Sequence, residues 1–426
     1  MMRPNGRAFK DERVTIMAFG LTKKELSWVL YDVGNSAFVM LSTALIPVYF
    51  ASIADPGSSV VVAWGYAETV ASLVLALLMP VLGSLADLAG NKKKFLVGFA
   101  GTGAVACAAL GIPEHALVFL VVYVIAAIML NGSMVFYDAF LVDATTEEHY
   151  DRVSSHGYAW GYIGSCIPFI ACLAVVLGGS SFGIDAKLGM KIAFIITAVW
   201  WVIFTVPVAK NVKQLHGKKR SDHVLRTTIS GLKGTVKSIM KDKRLLFFML
   251  AFFFYIDGVH TVIKMSTSYG TDLGIDSTQL VLALLVTQFV AFPSAIAYGN
   301  LAKCFGTKRM LKVGVLAYFF IVLFAAFFLK SAVEFWILAI CVGLFQGGIQ
   351  ALSRSEYGKL IPKERANEYY GFFDIFGKYA AVMGTFLVSA FTQLTGSSSL
   401  GVLSIALLFI VGFLFLRAMP PMLGDS

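Results

Sequence analysis

Twelve apolar runs follow one another along this chain, and each is long enough to cross a lipid bilayer as a helix. A transmembrane helix needs about 20 consecutive, mostly apolar residues. The third run is the weakest, because four glycines between Gly98 and Gly111 reduce its apolar content. The pattern predicts an all-α membrane protein with 12 transmembrane helices, at residues 26–53, 60–84, 95–112, 116–142, 154–178, 190–209, 244–265, 277–301, 309–330, 332–358, 367–392 and 398–418.

The composition and the basic residues support this prediction and orient the chain. Hydrophobic residues make up 58% of the 426 residues and charged residues 14%, whereas soluble domains average about 25% charged residues. Of 35 Lys and Arg residues, 29 fall in the termini and in alternate loops, on one side of the predicted membrane. Because Lys and Arg concentrate in cytoplasmic loops, we expect both termini to be cytoplasmic. The net charge of +10 therefore reflects topology in a lipid bilayer, and we expect no nucleic-acid partner.

A repeated loop divides the runs into six and six. The stretch "GSLADLAGNKK" at Gly83 and the stretch "GNLAKCFGTKR" at Gly299 share five residues at a constant offset of 216, each after the second run of its half. The first copy resembles the loop between the second and third helices of the major facilitator superfamily, in which two six-helix bundles are related by pseudo-symmetry. We expect a tail (1–25), a six-helix bundle (26–209), a linker (210–243), a second six-helix bundle (244–418) and a tail (419–426).

The repeated loop is also a candidate gate. We expect Asp87 to accept hydrogen bonds at the N-terminus of the eleventh span, near residues 367–370, and so to hold the cytoplasmic side shut. Lys303 replaces the acid in the second copy, so we expect only one such contact between the halves. The alternative is a loop that merely turns the chain. The candidate gating residues are Gly83, Asp87, Gly90, Lys92, Lys93, Gly299, Gly306, Lys308 and Arg309.

Polar residues inside the runs are candidates for a transport path, because a charge at the bilayer centre costs roughly 2.5–3.5 kcal/mol. They concentrate on the first, fourth, seventh and tenth runs, which line the central cavity in the superfamily that the loop resembles. Asp138 and Arg354 differ by the repeat offset of 216, so pseudo-symmetry sets them across the cavity as a potential ion pair. The alternative is a set of structural contacts between helices. The candidate cavity residues are Tyr31, Asp32, Asn35, Asn131, Tyr137, Asp138, Asp257, His260, Lys264, Gln346, Gln350, Arg354, Asp374 and Lys378.

Motifs that are absent from the sequence limit the energy sources and the kinds of chemistry that we expect of this chain. It contains no G-x-x-x-x-G-K-[ST] motif, so ATP-driven transport within this chain is not expected. His260 and a desolvated Asp257 are the candidates for proton coupling. Glu68 is a lone acid in the second run, for which a proton carrier and a packing role stay equally open. We expect no metal site, no cofactor, no disulfide among the five cysteines and no enzymatic activity.

The linker contains a second pattern. The stretch "VLRTTISGLKGTVKSIM" places apolar residues at helical spacing and Lys and Arg on the other face. This pattern predicts an amphipathic cytoplasmic helix on an anionic membrane surface, with a solvated linker as the alternative.

Several stretches resemble the vacuole effluxer-like family of the major facilitator superfamily. They are "LYDVGNSAF", "FYDAFLVD" with "RVSSHGYAWGYIGS", "FFFYIDGVHTVIKM", "GLFQGGIQALSRSEYGKLIP" and "EYYGFFDIFGKYAAVMG". The chain departs from the family pattern at Val33–Gly34, Ile256 and Lys264. The pattern carries over to Tyr31, Asp32, Asn35, Ser36, Asp143, Asp257, Gly258, Gln346, Gly347, Gln350, Ser353, Arg354 and Asp374.

This resemblance implies export of a small solute, with amino acids as the expected class and H⁺ as a candidate coupling ion. A drug or lipid exporter of the same fold and a non-transporting membrane sensor are the alternatives. We expect a monomer, in a bacterial cytoplasmic membrane rather than a vacuolar one.

Overall fold

The chain is helical from end to end of the part that the structure describes. The computed structural model describes residues 18–54, 60–218 and 224–420. The helices are α1 (Lys23–Ala44), α2 (Ile46–Ile53), α3 (Val60–Ala86), α4 (Lys92–Ala109), α5 (Ala116–Ala139), α6 (Leu141–Ala144), α7 (Tyr150–Gly178), α8 (Ala186–Asn211), α9 (Val224–Lys241), α10 (Lys243–Asp272), α11 (Ser277–Phe305), α12 (Thr307–Phe328), α13 (Ala332–Leu360), α14 (Ala366–Thr395) and α15 (Ser398–Ala418).

Each predicted run coincides with a long helix or, for the first run, with the pair α1 and α2. Among the described residues, nine helices are long and apolar enough by themselves to cross a membrane, and the pair α1 and α2, bent by 45°, makes a tenth span. Pro47 lies in the first turn of α2 and has no N–H to donate, which explains the bend. The predicted all-α membrane fold is confirmed.

Helix α4 is less apolar than the other predicted spans. It begins with three lysines and carries Gly98, Gly101 and Gly103, which weaken the third run. It packs against α5 and α8 and leaves another face exposed, where Val105 is 70% exposed. Helix α14 coincides with the eleventh run and packs against α3, α10 and α15. The side chains of residues 378–382 in α14 lie outside the described part.

The helices form two halves, α1–α8 and α10–α15, that meet along α7 with α11 and α13, and along α3 and α5 with α14. Loops rich in Lys and Arg meet at one end of both halves, where the loop after α3 contacts the start of α14 and the linker, and the loop after α11 contacts the start of α7. We call this end the basic side. The distribution of Lys and Arg predicts that it is cytoplasmic.

The linker helix α9 packs against α3 and α10 at the basic side. Thr235 and Ile239 are buried there, whereas Val236 and Met240 are exposed. The side chains of residues 219–231, which carry the first half of the predicted amphipathic pattern, lie outside the described part. Contact with a membrane surface therefore stays a prediction.

Candidate functional site

Arg354 joins the two halves at the basic side. Helix α13 carries its guanidinium into the N-terminal half, where the side chain is only 1% exposed. Nη1 donates to Asp138 at 2.9 Å and lies 3.6 Å from Asp32. Nε donates to the Ser154 hydroxyl and Nη2 to the Ser154 carbonyl, both at 2.9 Å. The structure thus brings together two carboxylates of one half and one cation of the other.

Aromatic rings enclose the same guanidinium. Its carbon lies 4.4 Å from the Tyr158 ring centre, 4.7 Å from Trp28 and 5.3 Å from Tyr137. Trp28 stacks on Tyr137, with ring centres 4.4 Å apart, and its indole N–H donates to the Tyr137 carbonyl at 2.9 Å. Gly157 leaves the necessary space, because a Cβ there would lie 2.9 Å from Arg354 Nη2. The Arg354 guanidinium therefore makes cation–π contacts and ion pairs at the same time.

The other polar residues of α1 and α5 are held within the N-terminal half. Tyr31 donates to Ser133 at 2.6 Å, and Tyr137 donates to Asp32 at 3.2 Å. The Asn35 and Asn131 amides donate to carbonyl groups of their own helices, four residues back. Asp32 and Tyr137 contact the Arg354 guanidinium directly. The Asn35 amide also lies 3.5 Å from Asp32 Oδ1, whereas Asn131 bonds only the backbone among the described residues.

The predicted residues of the C-terminal half do not join that cluster as a group. Asp257 is fully buried, and its Oδ1 accepts from the Gly384 N–H at 2.9 Å and from Thr261 at 3.2 Å. Its Oδ2 has no hydrogen-bond donor among the described residues. This contact lies between α10 and α14, inside the C-terminal half.

Gln346 and Gln350 have different surroundings although they share one helix face. Gln350 donates to the Tyr162 hydroxyl of the other half at 3.3 Å. Gln346 lines a mostly apolar cavity of about 70 Å³ within the C-terminal half. The structure also places His260 and Asp374 half-buried in the bundle and Lys264 exposed, and the side chain of Lys378 lies outside the described part.

The first repeated loop contacts the start of α14. Asp87 Oδ1 accepts from the backbone N–H of Asn367 at 2.9 Å and from its side-chain amide at 2.8 Å. Asp87 Oδ2 accepts from the Glu368 N–H at 3.1 Å. Gly83 permits this approach, because a Cβ there would lie 2.5 Å from the Asn367 carbonyl oxygen. Gly90 has the left-handed φ of +82° that the turn requires.

A contact of a different kind joins the halves beside the second repeated loop. Asp151, at the start of α7, binds the Lys359 ammonium of the other half at 2.7 Å and accepts from Thr307 at 2.7 Å and from Ser355 at 2.5 Å. Gly299, the counterpart of Gly83, packs against this region of α7. The acid absent from the second loop is present on the opposite half, which the loop motif alone does not reveal.

The basic residues of the two loops have unlike partners. Lys92 binds Asp143 at 2.6 Å within the N-terminal half, and both side chains are 0% exposed. Lys308 donates to the Met419 carbonyl. Lys93 is half-buried and Arg309 is exposed, while Gly306 repeats the left-handed turn with a φ of +84°.

Two carboxylates at the basic side have shifted pKa values. Burial raises the pKa of Asp87 to about 6, although Lys92 and the hydrogen bonds from Asn367 oppose the rise. Burial also acts to raise the pKa of Asp143, but Lys92 and His216 outweigh it, so the pKa of Asp143 is lowered.

The linker reinforces the contact at α14. Lys218 pairs its backbone with Asp87 and Ala89, and its ammonium binds Glu368 at 2.6 Å. Thr235 of α9 and Arg365 also hydrogen-bond the Glu368 carboxylate. The linker is thus part of the contact between the halves.

Four members of these contacts were not predicted from the sequence: Ser154, Tyr158, Asp151 and Lys359. The offset of 216 relates Asp151 to Asn367 and Lys359 to Asp143, so applying it beyond the loop motif would have drawn attention to both residues. No comparable signal distinguishes Ser154 or Tyr158. Glu68, which lacks a partner in the sequence pattern, accepts a hydrogen bond from Tyr123.

Comparison with protein families and curated relatives gives consistent matches. Residues 57–146 and 142–422 match the family model described as vacuole effluxer Atg22 like. An uncharacterized MFS-type transporter of Bacillus subtilis strain 168, YxiO, is 45% identical over 408 residues, which cover 94% of this chain and 95% of that protein. Autophagy-related protein 22 of Cryptococcus neoformans is 26% identical over 283 residues, which cover 61% of this chain and 48% of that protein.

Solved structures show the same fold. The transporter FucP in its outward conformation superposes with a TM-score of 0.71 at 14% identity, covering 94% of this chain and 99% of FucP. A bacterial homologue of the iron transporter ferroportin in an outward-facing state has a TM-score of 0.66 at 14% identity, covering 93% and 98% of the two chains. At these identities the likeness shows the fold alone.

Proposed function

Because this chain belongs to the vacuole effluxer Atg22-like family of the major facilitator superfamily, we propose that it is a secondary active transporter that exports small solutes of the amino-acid class. The two halves alternate between a state closed at the basic side and a state open there. The basic side is the cytoplasmic side in this proposal, and H⁺ is the coupling ion.

The observation that carries the proposal is the position of Arg354 between Asp32 and Asp138. A buried ion pair of this kind stabilises one arrangement of the halves, and separating it leaves charges that need new partners. The transported solute and protons supply such partners when the basic side opens.

Three contacts cross the interface between the two halves, which we call the seam. All three have to break when the basic side opens. Arg354 lies with the acids of α1 and α5, Asp87 lies at the start of α14, and Asp151 lies with Lys359. All three join opposite halves at the basic side. Rocking of one half against the other opens them in a single motion, which is the movement that alternating access requires.

Asp257 is the proposed proton carrier. Its Oδ2 is buried without a donor among the described residues, and a carboxylate oxygen in this position is chemically suited to hold a proton. The neighbouring Gly384 N–H comes from α14, which also carries the contact with Asp87. Protonation at Asp257 is thereby connected to the helix that opens at the basic side.

Residence in a bacterial cytoplasmic membrane is part of the proposal, and the relatives support it. The bacterial relative matches along almost the whole chain, whereas the fungal relative matches over 61% of it. A monomer is the proposed working unit, because the seam and its contacts lie within one chain.

Flux in proteoliposomes tests the proposal. Purified protein is reconstituted, a panel of radiolabelled amino acids is offered, and flux is measured with and without an imposed pH gradient. We expect at least one amino acid to move faster down the coupled gradient. Absence of flux for every member of the panel would remove the amino-acid assignment.

The variant Asp257→Asn separates coupling from transport. We expect it to abolish the response to the pH gradient while exchange of solute between the two sides persists. Gradient-driven flux equal to that of the unmodified protein would refute the role of Asp257. Thr261→Val, which removes a neighbouring donor and keeps the carboxylate, is the matched control and should retain the gradient response.

A further inference from the structure

We propose that the N-terminal half contains a binding site for the planar guanidinium or amidinium group of a small solute, and that Arg354 occupies this site while the basic side is closed. The cation site consists of Trp28, Asp32, Tyr137, Asp138 and Tyr158, with Ser154 at its base. This inference rests on the proposed transport function and names the chemical class of its solute.

The site belongs entirely to one half. Its rings and acceptors come from α1, α5 and α7, and the cation comes from α13 of the other half. Three acceptors take hydrogen bonds from the edge of the guanidinium at 2.9 Å each: Asp138, the Ser154 hydroxyl and the Ser154 carbonyl. The three rings lie within 5.3 Å of the guanidinium carbon. A planar cation that donates along its edge and presents its faces to rings matches this arrangement.

The space for the cation is shaped by Gly157. A Cβ at this position would lie 2.9 Å from Arg354 Nη2 and from the Tyr137 hydroxyl, and 3.1 Å from the Trp28 ring. A methyl group at this position therefore projects into the site. Gly178 on the same helix has open space where its Cβ would project.

Opening of the basic side has to withdraw Arg354. The withdrawal leaves the buried Asp32, the partly buried Asp138 and three rings without their cation, an arrangement that is costly unless another cation replaces it. The vacated site then faces the basic side. A solute with a guanidinium group and Arg354 consequently compete for the same atoms, and the solute favours the open state.

The comparison of L-arginine with L-citrulline tests the charge requirement. The two amino acids have the same length, and an uncharged ureido group replaces the guanidinium in citrulline. Binding is measured by calorimetry on the full chain in lipid nanodiscs. We expect L-arginine to bind at least tenfold more tightly than L-citrulline, and equal affinities would overturn the proposal.

The variant Arg354→Met tests the competition. Removing the internal competitor should increase the affinity for L-arginine at least tenfold. An unchanged or weaker affinity would overturn the proposal, because a weaker affinity places Arg354 in contact with the solute itself. If this variant does not fold, Tyr158→Leu provides the test: it should weaken L-arginine binding at least tenfold, and an unchanged affinity would overturn the proposal.

Glycine variants test the location. In the Arg354→Met background, Gly157→Ala should reduce the affinity for L-arginine at least tenfold, while Gly178→Ala should leave it within twofold. Equal affinities in these two variants would place the cation elsewhere.

The flux assay distinguishes this inference from the proposed function. Amino-acid flux without a preference for L-arginine over L-citrulline removes the cation site and leaves transport in place. L-arginine binding without flux of any amino acid removes transport and leaves the cation site in place.

Discussion

The two copies of the repeated loop hold the halves together with opposite placements of charge. Asp87 in the first loop accepts hydrogen bonds from the start of α14. In the second loop Lys303 takes the place of the acid, and Asp151 at the start of α7 reaches across to Lys359. The offset of 216 relates Asp151 to Asn367, so the acceptor lies in the loop in the first contact and at the start of a helix in the second. Both acceptors belong to the N-terminal half.

One reversal of charge explains much of the difference between the two loop regions: Asp143 in the first half corresponds to Lys359 in the second. Asp143 pairs with Lys92 inside the N-terminal half, whereas its counterpart, Lys359, has no acid to meet in its own loop and pairs with Asp151. The equivalent positions Asp143 and Lys359 therefore have different roles. Asp143 forms an ion pair within one half, whereas Lys359 forms an ion pair between the halves. Pseudo-symmetric folds can use equivalent positions for stability on one side and for gating on the other.

The largest expected effect concerns the pair within one half. Lys92→Met leaves the fully buried Asp143 without its cation, and removing one partner of such a pair costs about 3–5 kcal/mol. We expect a clear loss of thermal stability in detergent with little change in the balance of open and closed states. Lys94→Met, at an exposed neighbouring position, is the control and should unfold like the unmodified protein. Equal stability of the two variants would contradict the structural role of Lys92.

The pair between the halves should affect gating instead. Asp151→Ala leaves Lys359, 12% exposed, with only the more distant Glu356 carboxylate at 3.8 Å, which costs the closed state about 2 kcal/mol, or roughly thirtyfold in population. The change is measurable by spin-label distances across the basic side. The double variant Asp151→Ala/Lys359→Met should recover much of the closed population. A shift in thermal stability without a shift in distances would show that the pair serves the fold.

The pH dependence of closure sharpens the comparison further. The pKa of Asp87 is about 6 in the closed state, above its ordinary value near 3.8, so the closed state binds the proton more tightly than a solvated open state. Lowering the pH from 7 to 5 should therefore favour closure by about tenfold, and raising it again should remove that gain. Asp87→Asn should lack this component. The same pH response in both proteins would assign it to another group.

The smallest effect is expected at the exposed edge of the seam. Lys363 and Glu147 are related by the offset of 216 and lie 3.2 Å apart, with 35% and 46% of their side chains exposed. Exposed pairs contribute about 0–1 kcal/mol, so Lys363→Gln should change closure by less than about threefold. A larger change that persists at high salt would mean that this pair is buried during the transport cycle.

The sequence determined the membrane fold, its spans and the pairing of its halves. Apolar runs of sufficient length have one favourable arrangement in a bilayer, because their backbone polar groups must be bonded within each helix. The repeated loop and its offset marked the two halves and placed Asp138 opposite Arg354, since pseudo-symmetry acts on positions that can be counted along the chain.

Apart from the Asp138–Arg354 pair and the contact of Asp87 with the start of α14, only the tertiary structure decided which polar side chains meet. It separated Asp257 from the Arg354 cluster, turned Asn35 and Asn131 to their own helices and brought Asp151 to Lys359. It also gathered Trp28, Tyr137 and Tyr158 around one guanidinium. Helical spacing gives the face on which a residue lies, but the partner of that face depends on how each helix is rotated and how closely glycines such as Gly83 and Gly157 let the helices approach.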